Sequence, residues 1–531
     1  MRTLKLFVAA LCLVAAAACQ PPTKAGMKDV LLVGNTAEPL TLDPHKASGT
    51  WENHIIGDMF MGLTTEAPDA SVAPGMALNW TTSADGLKWT FHLRDAVWSD
   101  GESVTAEDFV AGFRRLFDPE TLSEYASIQF GMKNAEAVYE RKLPPDALGI
   151  RAVDPKTLEI TLENPAPYLP QLLKHYTAFP IPRHVVEKEG GNWIKPGKIV
   201  VNGPYKLVRW RTNDLIEVEK NERFFDAQNV CFKRIFYYPT NDSLAAERRV
   251  RAGQLDVNTE IDGTRLKFLE RNLPGYSRVH DFMGTVFLAF NNRKKPFDDA
   301  RVRKALSMAI NRDFIADEIL RAGQTPAYSL IPRSVANYPG SAPLDWEKDP
   351  MLKRRADARA LLEAAGFGPN KPLIFTYSHR NTGDNPRIAP VLQKNWSDIA
   401  PWVRVQIQGV ETQMHYANLR TGDFDVGDGG WIADFNDARN FLFLMETKSR
   451  DQNYSKYSNA EFDRILAASD KERDLIKRGR MLAAAETITA RDQPMAPVVY
   501  YVNKNLVRPD ITGWVDNIED IHRARYLCRK P

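Results

Sequence analysis

The stretch Gly429-Gly430-Trp431-Ile432-Ala433-Asp434-Phe435-Asn436-Asp437 concentrates residue types that can recognise a small cationic ligand. Glycines let another backbone approach closely, a tryptophan offers a rigid flat wall, and a carboxylate three residues later accepts hydrogen bonds from a cation. The combination suits a grip on the amino end of a small peptide. The same residues also fit a purely architectural use. Gly-Gly-Trp can end a strand on a core tryptophan, and Asp434 can cap a following helix through Phe441-Leu442-Phe443-Leu444-Met445.

Other chemistries find little support. The chain has no Gly-x-Ser-x-Gly elbow, no metalloprotease helix and no cysteine in a nucleophile signature, so no catalytic residue is expected. Its nine histidines are scattered, without His-x-x-x-His or Cys-x-x-Cys spacing, which predicts neither a metal site nor a cofactor. Seventy Lys and Arg against 67 Asp and Glu leave a net charge of +3 and no long basic run, so nucleic acid is not an expected partner.

The elements that must position the stretch follow from length and patterning. A chain of 531 residues calls for roughly two to four domains. With 44% hydrophobic and 26% charged residues it should fold throughout rather than stay disordered. Arg2 and Lys5 precede an apolar run over 6–14 and then Ala15-Ala16-Ala17-Ala18-Cys19, which reads as an export signal over 1–18, too short to span a bilayer. Cys19 after alanines resembles a bacterial lipoprotein cleavage site, and Ala16-x-Ala18 equally fits an ordinary one. The expectation is export to the periplasm, either free or tethered through a lipidated Cys19.

Further along, Val30-Leu31-Leu32-Val33 reads as a buried strand, and Trp89, Phe91 and Leu93 alternate as a half-buried one. Thr105-Ala106-Glu107-Asp108 forms a capping box ahead of a helix with Phe109, Phe113, Leu116 and Phe117 on one face. Strands are predicted over 157–162, and a hairpin over 207–218 turns at Asn213-Asp214. A buried strand over 287–292 leads to a helix from Asp298. The last third alternates helices over 356–365 and 460–468 with strands over 373–377, 403–408 and 498–502. The fold class is α/β with several domains.

Taken together, Leu42-Asp43-Pro44-His45, Trp89-Thr90-Phe91-His92-Leu93-Arg94, Trp98-Ser99-Asp100-Gly101, Asn202-Gly203-Pro204-Tyr205-Lys206-Leu207, residues 290–303 and Gly430-Trp431-Ile432-Ala433-Asp434-Phe435-Asn436 resemble the large periplasmic oligopeptide-binding proteins. These are solute receptors of ABC importers, and the motifs run in family order over nearly the whole mature chain. The resemblance implies a type II periplasmic-binding fold in which two lobes close over an extended ligand by a hinge, with an extra inserted lobe. Residues 19–60, 185–285 and 503–531 would form lobe I, 61–184 lobe II and 286–502 lobe III. It further implies that Asp434 pairs with the ligand's α-ammonium group beside Trp431. The Gly430 and Ile432 backbones would run alongside the ligand like an added strand, and Ser48 and Thr50 would supply an edge from the opposite lobe.

The implied partners are an oligopeptide and the importer's membrane permease, with the receptor itself a monomer. The resemblance puts Cys231 and Cys528 in one domain, where a disulfide or two buried thiols both fit. Two departures stand out. Asp428 occupies a position where well-known members carry an arginine that helps hold the ligand's carboxylate, which leaves Lys294, Arg380 and Arg387 as candidates for that role. Ile432 replaces a cysteine found in some members. The same scaffold also serves receptors for murein peptides, dipeptides, oligosaccharides and metal chelates.

Overall fold

Two long strands, Ser277–Phe290 and Met495–Val507, carry the architecture of the computed structural model, which describes residues 28–530. The export signal over 1–18 and Cys19 therefore lie outside the described residues. The two strands pair antiparallel twice, 277–281 with 502–506 and 285–289 with 495–500, and the register breaks between Asp281 and Thr285.

On one side of the break, Val257–Asn258, Val30–Gly34, Arg234–Tyr238, Leu215–Lys220 and Tyr205–Arg211 extend the sheet in that order. On the other side, Val426–Ile432, Leu373–Arg380 and Val403–Val410 add outward from Ser277–Phe290, and Thr325–Pro326 pairs with Met495–Val507, for eleven strands in all. The halves are thus joined through the crossing pair. Strand alternation explains why the sheet is covered on both faces. Leu288 and Phe290 enter a core with Val302, Leu306 and Trp396, while Phe287 and Ala289 enter another with Phe441, Phe462 and Leu482.

A separate four-stranded sheet, in the order Ala77–Thr82, Lys88–Leu93, Thr157–Thr161, Ile150–Asp154, lies in the inserted segment. The helix Ala106–Leu116 begins as its sequence demands, with the Asp108 carboxylate accepting the Thr105 N–H at 2.8 Å. Phe109, Phe113 and Leu116 are buried. The core of this segment is continuous with that of the first half, since Phe91 and Phe113 belong to one cluster with Leu31, Tyr205 and Val507.

Several elements run longer than expected. The strand predicted over 287–292 starts at Ser277, and the one over 498–502 spans Met495–Val507. The helix Leu475–Asp492, absent from the sequence reading, packs Arg478, Gly479 and Glu486 on its buried face, which hides its amphipathic period. Cys231 and Cys528 are joined by a disulfide with a Cα–Cα distance of 5.3 Å, tying the C-terminal tail to the first half. Among the described residues, no helix is long and apolar enough to cross a membrane.

Candidate functional site

Asp434 lies two residues past the strand Val426–Ile432. That strand pairs with Ser277–Phe290 along its length, but on its other edge only Val426 and Gly427 pair with Leu373–Arg380. The Ala433 N–H donates to the Met283 carbonyl at 2.8 Å. Antiparallel alternation then turns the main-chain groups of residues 429, 431 and 433 toward Ser277–Phe290, and those of Gly430 and Ile432 toward the unpaired edge. Ile432 is 49% exposed. An unpaired edge with donors and acceptors in register can take an extended peptide as an extra strand.

The glycines also have an internal reason. A Cβ on Gly429 would sit 2.6 Å from the buried Phe287 ring, and one on Gly430 would sit 2.5 Å from the Tyr501 hydroxyl. The pair therefore clears space for two aromatic side chains packed beside the strand.

Asp434 does not cap the next helix. Ala438 occupies the N-cap of Arg439–Leu442, and the carboxylate that accepts the Arg439 N–H, at 2.9 Å, is Asp437. Asp434 is instead oriented by Asn440, whose Oδ1 accepts both the Asp434 N–H at 3.1 Å and the Trp431 indole N–H at 2.9 Å. One amide thus fixes the wall and the acid together. Across the cleft, the Tyr125 hydroxyl of the inserted segment donates to Asp434 Oδ1, and Tyr168 stacks on Phe435 with ring centroids 4.9 Å apart. Burial pushes the Asp434 pKa up, and hydrogen bonds from Tyr125 and Asn440 only partly oppose it. Among the described residues, no cation neutralises the carboxylate.

The opposite wall is built by Glu52, which is buried and draws the loop before the helix Thr50–Met59 onto itself. Its Oε2 accepts the Ser48 and Gly49 N–H groups at 3.0 and 2.8 Å, and its Oε1 accepts that of Leu40 at 2.9 Å. The Ser48 N–H is therefore engaged by Glu52, while Ser48 and Thr50 remain exposed. Tyr176 is buried nearby: burial raises its pKa, and the Glu52, Asp434 and Glu124 carboxylates raise it further.

Of the three cations considered for the ligand's carboxylate, the structure brings one to the strand edge. Asp428, 1% exposed, accepts the Arg380 main-chain N–H at 2.7 Å and its Nε at 2.8 Å, with His415 Nε2 3.2 Å away. The acid that replaces the family's arginine thus clamps an arginine on the neighbouring strand. Among the described residues neither Arg380 Nη bonds to a carboxylate, and the guanidinium lies 5.4 Å from the Tyr416 ring centroid. Lys294 is elsewhere, paired at 2.5 Å with Asp425 before the start of the strand. Arg387 is also elsewhere, exposed and paired at 2.8 Å with Asp384 beside the start of the helix Asn385–Ser397.

Residues 71–453 match the family described as bacterial extracellular solute-binding proteins, family 5 Middle. The chain belongs to this family. This solute-binding protein is 35% identical to the periplasmic oligopeptide-binding protein OppA of Salmonella typhimurium, over 93% of this chain and 92% of that one. It superposes on the unliganded open form of the murein tripeptide-binding protein MppA with a TM-score of 0.87 at 34% identity, covering 95% and 98% of the two chains. Against Haemophilus influenzae OppA in complex with RPPGFSPFR the TM-score is 0.75 at 32% identity, covering 95% and 99%. The fold is that of a type II periplasmic binding protein.

Sequence reasoning missed Tyr125, Tyr176 and Asn440. Asn440 is readable in principle, being six residues from the acid it orients. The tyrosines reach Asp434 only through the fold.

Proposed function

We propose that this protein captures oligopeptides with a free amino terminus in the periplasm by closure of its lobes, and hands them to the permease of an ABC importer. The observation that carries the reading is Asp434, a half-buried carboxylate without a cationic partner among the described residues, at the end of an unpaired strand edge. An α-ammonium group would form charge-assisted hydrogen bonds there, and Gly430 and Ile432 would hold the ligand backbone. Arg380, steadied by Asp428, takes the role of carboxylate partner. Water-filled space around the ligand side chains would let many sequences bind. In this reading the three lobes comprise 19–60 with 185–285 and 503–531, then 61–184, and 286–502. The protein acts as a monomeric receptor, with no enzymatic step and no nucleic-acid partner, and Cys19 is a candidate lipid anchor.

The test is native mass spectrometry of the protein purified from its own host, followed by unfolding and sequencing of whatever is released. Peptides with free amino termini are expected, murein-type peptides among them. A sugar, a metal chelate or an amino-blocked compound as the bound species would overturn the ligand assignment. Arg380→Gln is expected to weaken peptides ending in a free carboxylate and to spare their C-terminal amides. Equal loss for both would remove Arg380 from the site.

A further inference from the structure

His280 meets Asp520 and His522 at the root of the crossing strands, although it lies far from that pair in the chain. One ligand atom from each lies within 4.8 Å of the others. His280 belongs to Ser277–Phe290, one residue before the register break, whereas Asp520 and His522 belong to the C-terminal tail. The geometry points to a divalent-metal site of the zinc class, with His280 Nε2, Asp520 Oδ1 and His522 Nε2 as protein ligands.

The distances fit such an ion. Asp520 Oδ1 is 3.6 Å from His280 Nε2 and 3.0 Å from His522 Nε2. A tetrahedral ion with nitrogen and oxygen ligands at about 2.0–2.1 Å separates neighbouring ligand atoms by about 3.3 Å. The His280 tautomer fits as well. His280 Nδ1 lies 3.1 Å from the Asp281 carbonyl, so the ring donates there and Nε2 carries the lone pair. That Nε2 is buried without a hydrogen-bond partner, on a side chain only 10% exposed. A buried nitrogen facing a carboxylate is costly unless a proton or a metal ion lies between the two.

The surroundings hold the ligands in place. Asn505 Nδ2 donates to Asp520 Oδ1 at 2.8 Å, and Trp514 stacks on the His522 ring at 3.6 Å. Asp520 and His522 border a cavity of about 40 Å³ that also touches His54 and Asn505. This space is large enough to admit one water as a fourth ligand. The donor set, two imidazoles and a carboxylate, suits Zn²⁺ better than Ca²⁺ or Mg²⁺, which prefer all-oxygen shells. An ion here would fasten the strand that enters the hinge to the C-terminal tail of the first half. The inference is independent of what the cleft binds.

The test uses the full chain, tag-free and chelator-treated, titrated with Zn²⁺ by calorimetry and with Co²⁺ by visible absorption. One ion per chain is expected, with the intense d–d bands of tetrahedral Co²⁺ and a rise in Tm. His280→Ala and His522→Ala should each weaken metal binding by about 100-fold or more. Asp520→Asn, nearly isosteric, serves if a histidine variant does not fold. Absence of stoichiometric binding overturns the assignment, because a proton between His522 and Asp520 would then be all that joins the cluster. Metal binding unaffected by these variants overturns it equally.

Discussion

Asp434→Asn should cut the affinity for peptides with a free amino terminus by about 100-fold or more while leaving the fold intact. Removing one partner of a desolvated ion pair strands the other, at a cost of about 3–5 kcal/mol. The fold should tolerate the change because the Asp434 pKa is raised. Its ionised form is less favourable in the protein than in water, so neutralising it removes an unfavourable term. Calorimetric titration of a peptide and its N-acetyl analogue, on both proteins, forms a double-mutant cycle. Acetylation should cost the original protein dearly and the variant little. A folded variant with unchanged peptide affinity would end the assignment.

The same carboxylate sets a pH dependence. Only ionised Asp434 pairs with an ammonium group, and burial holds its pKa above the usual carboxylate range in the ligand-free protein. Affinity should therefore be flat above that raised pKa and fall as pH drops through it. The fold should outlast this loss. Burial works against the Glu66 carboxylate, yet Arg523, at 2.9 Å, and Lys174 bring its pKa down to about 2. A depressed acid stabilises the fold above its unfolded pKa, and that contribution disappears between about pH 4.5 and 2.

The second large effect concerns stability. Asp437→Ala should destabilise the protein by about 3–5 kcal/mol, because it leaves the Arg478 guanidinium buried without a counter-charge. The pair is bidentate, with Nη1–Oδ2 at 2.6 Å and Nη2–Oδ1 at 3.0 Å, and Arg478 is only 2% exposed. The double change Asp437→Leu with Arg478→Met should unfold at a urea concentration closer to that of the original, since two apolar side chains need no partner. If the single variant loses less than about 1 kcal/mol, the pair is not what holds this segment. Because Asp437 lies three residues beyond Asp434, the single variant should also bind peptide more weakly.

Local signals were legible wherever neighbours in sequence decide the structure. The Thr105 and Asp108 capping box, the hairpin turning at Asn213-Asp214, and the Trp89, Phe91 and Leu93 alternation each correspond to an observed element. The first part of Ser277–Phe290 was not legible. Ser277, Arg278, His280 and Asp281 are polar, and the strand there is paired and only partly buried at the hinge. Asp434 stood out from its own segment together with the family motif. Tyr125 could not, since it is 309 positions away and meets the acid only across the cleft. Asp428 looked like a lost positive charge because its partner, Arg380, lies on the adjacent strand. The histidine cluster was hidden for the same reason: His280 comes from the crossing strand and meets the Asp520 and His522 of the tail only through the fold.

The crossing strands constrain how the molecule can move. A hydrogen-bonded antiparallel pair resists stretching and shear, since sliding it by one residue would turn every side chain to the wrong face. It yields far more readily to bending and twist, and the register break after Asp281 concentrates that compliance in a few residues. The two halves would therefore move less like jaws on a tether than like plates on a single torsion spring. Cleft width and the distance from Asp434 to the opposing wall become functions of one angle, so guests of different bulk would be registered mechanically as different settings of the same coordinate.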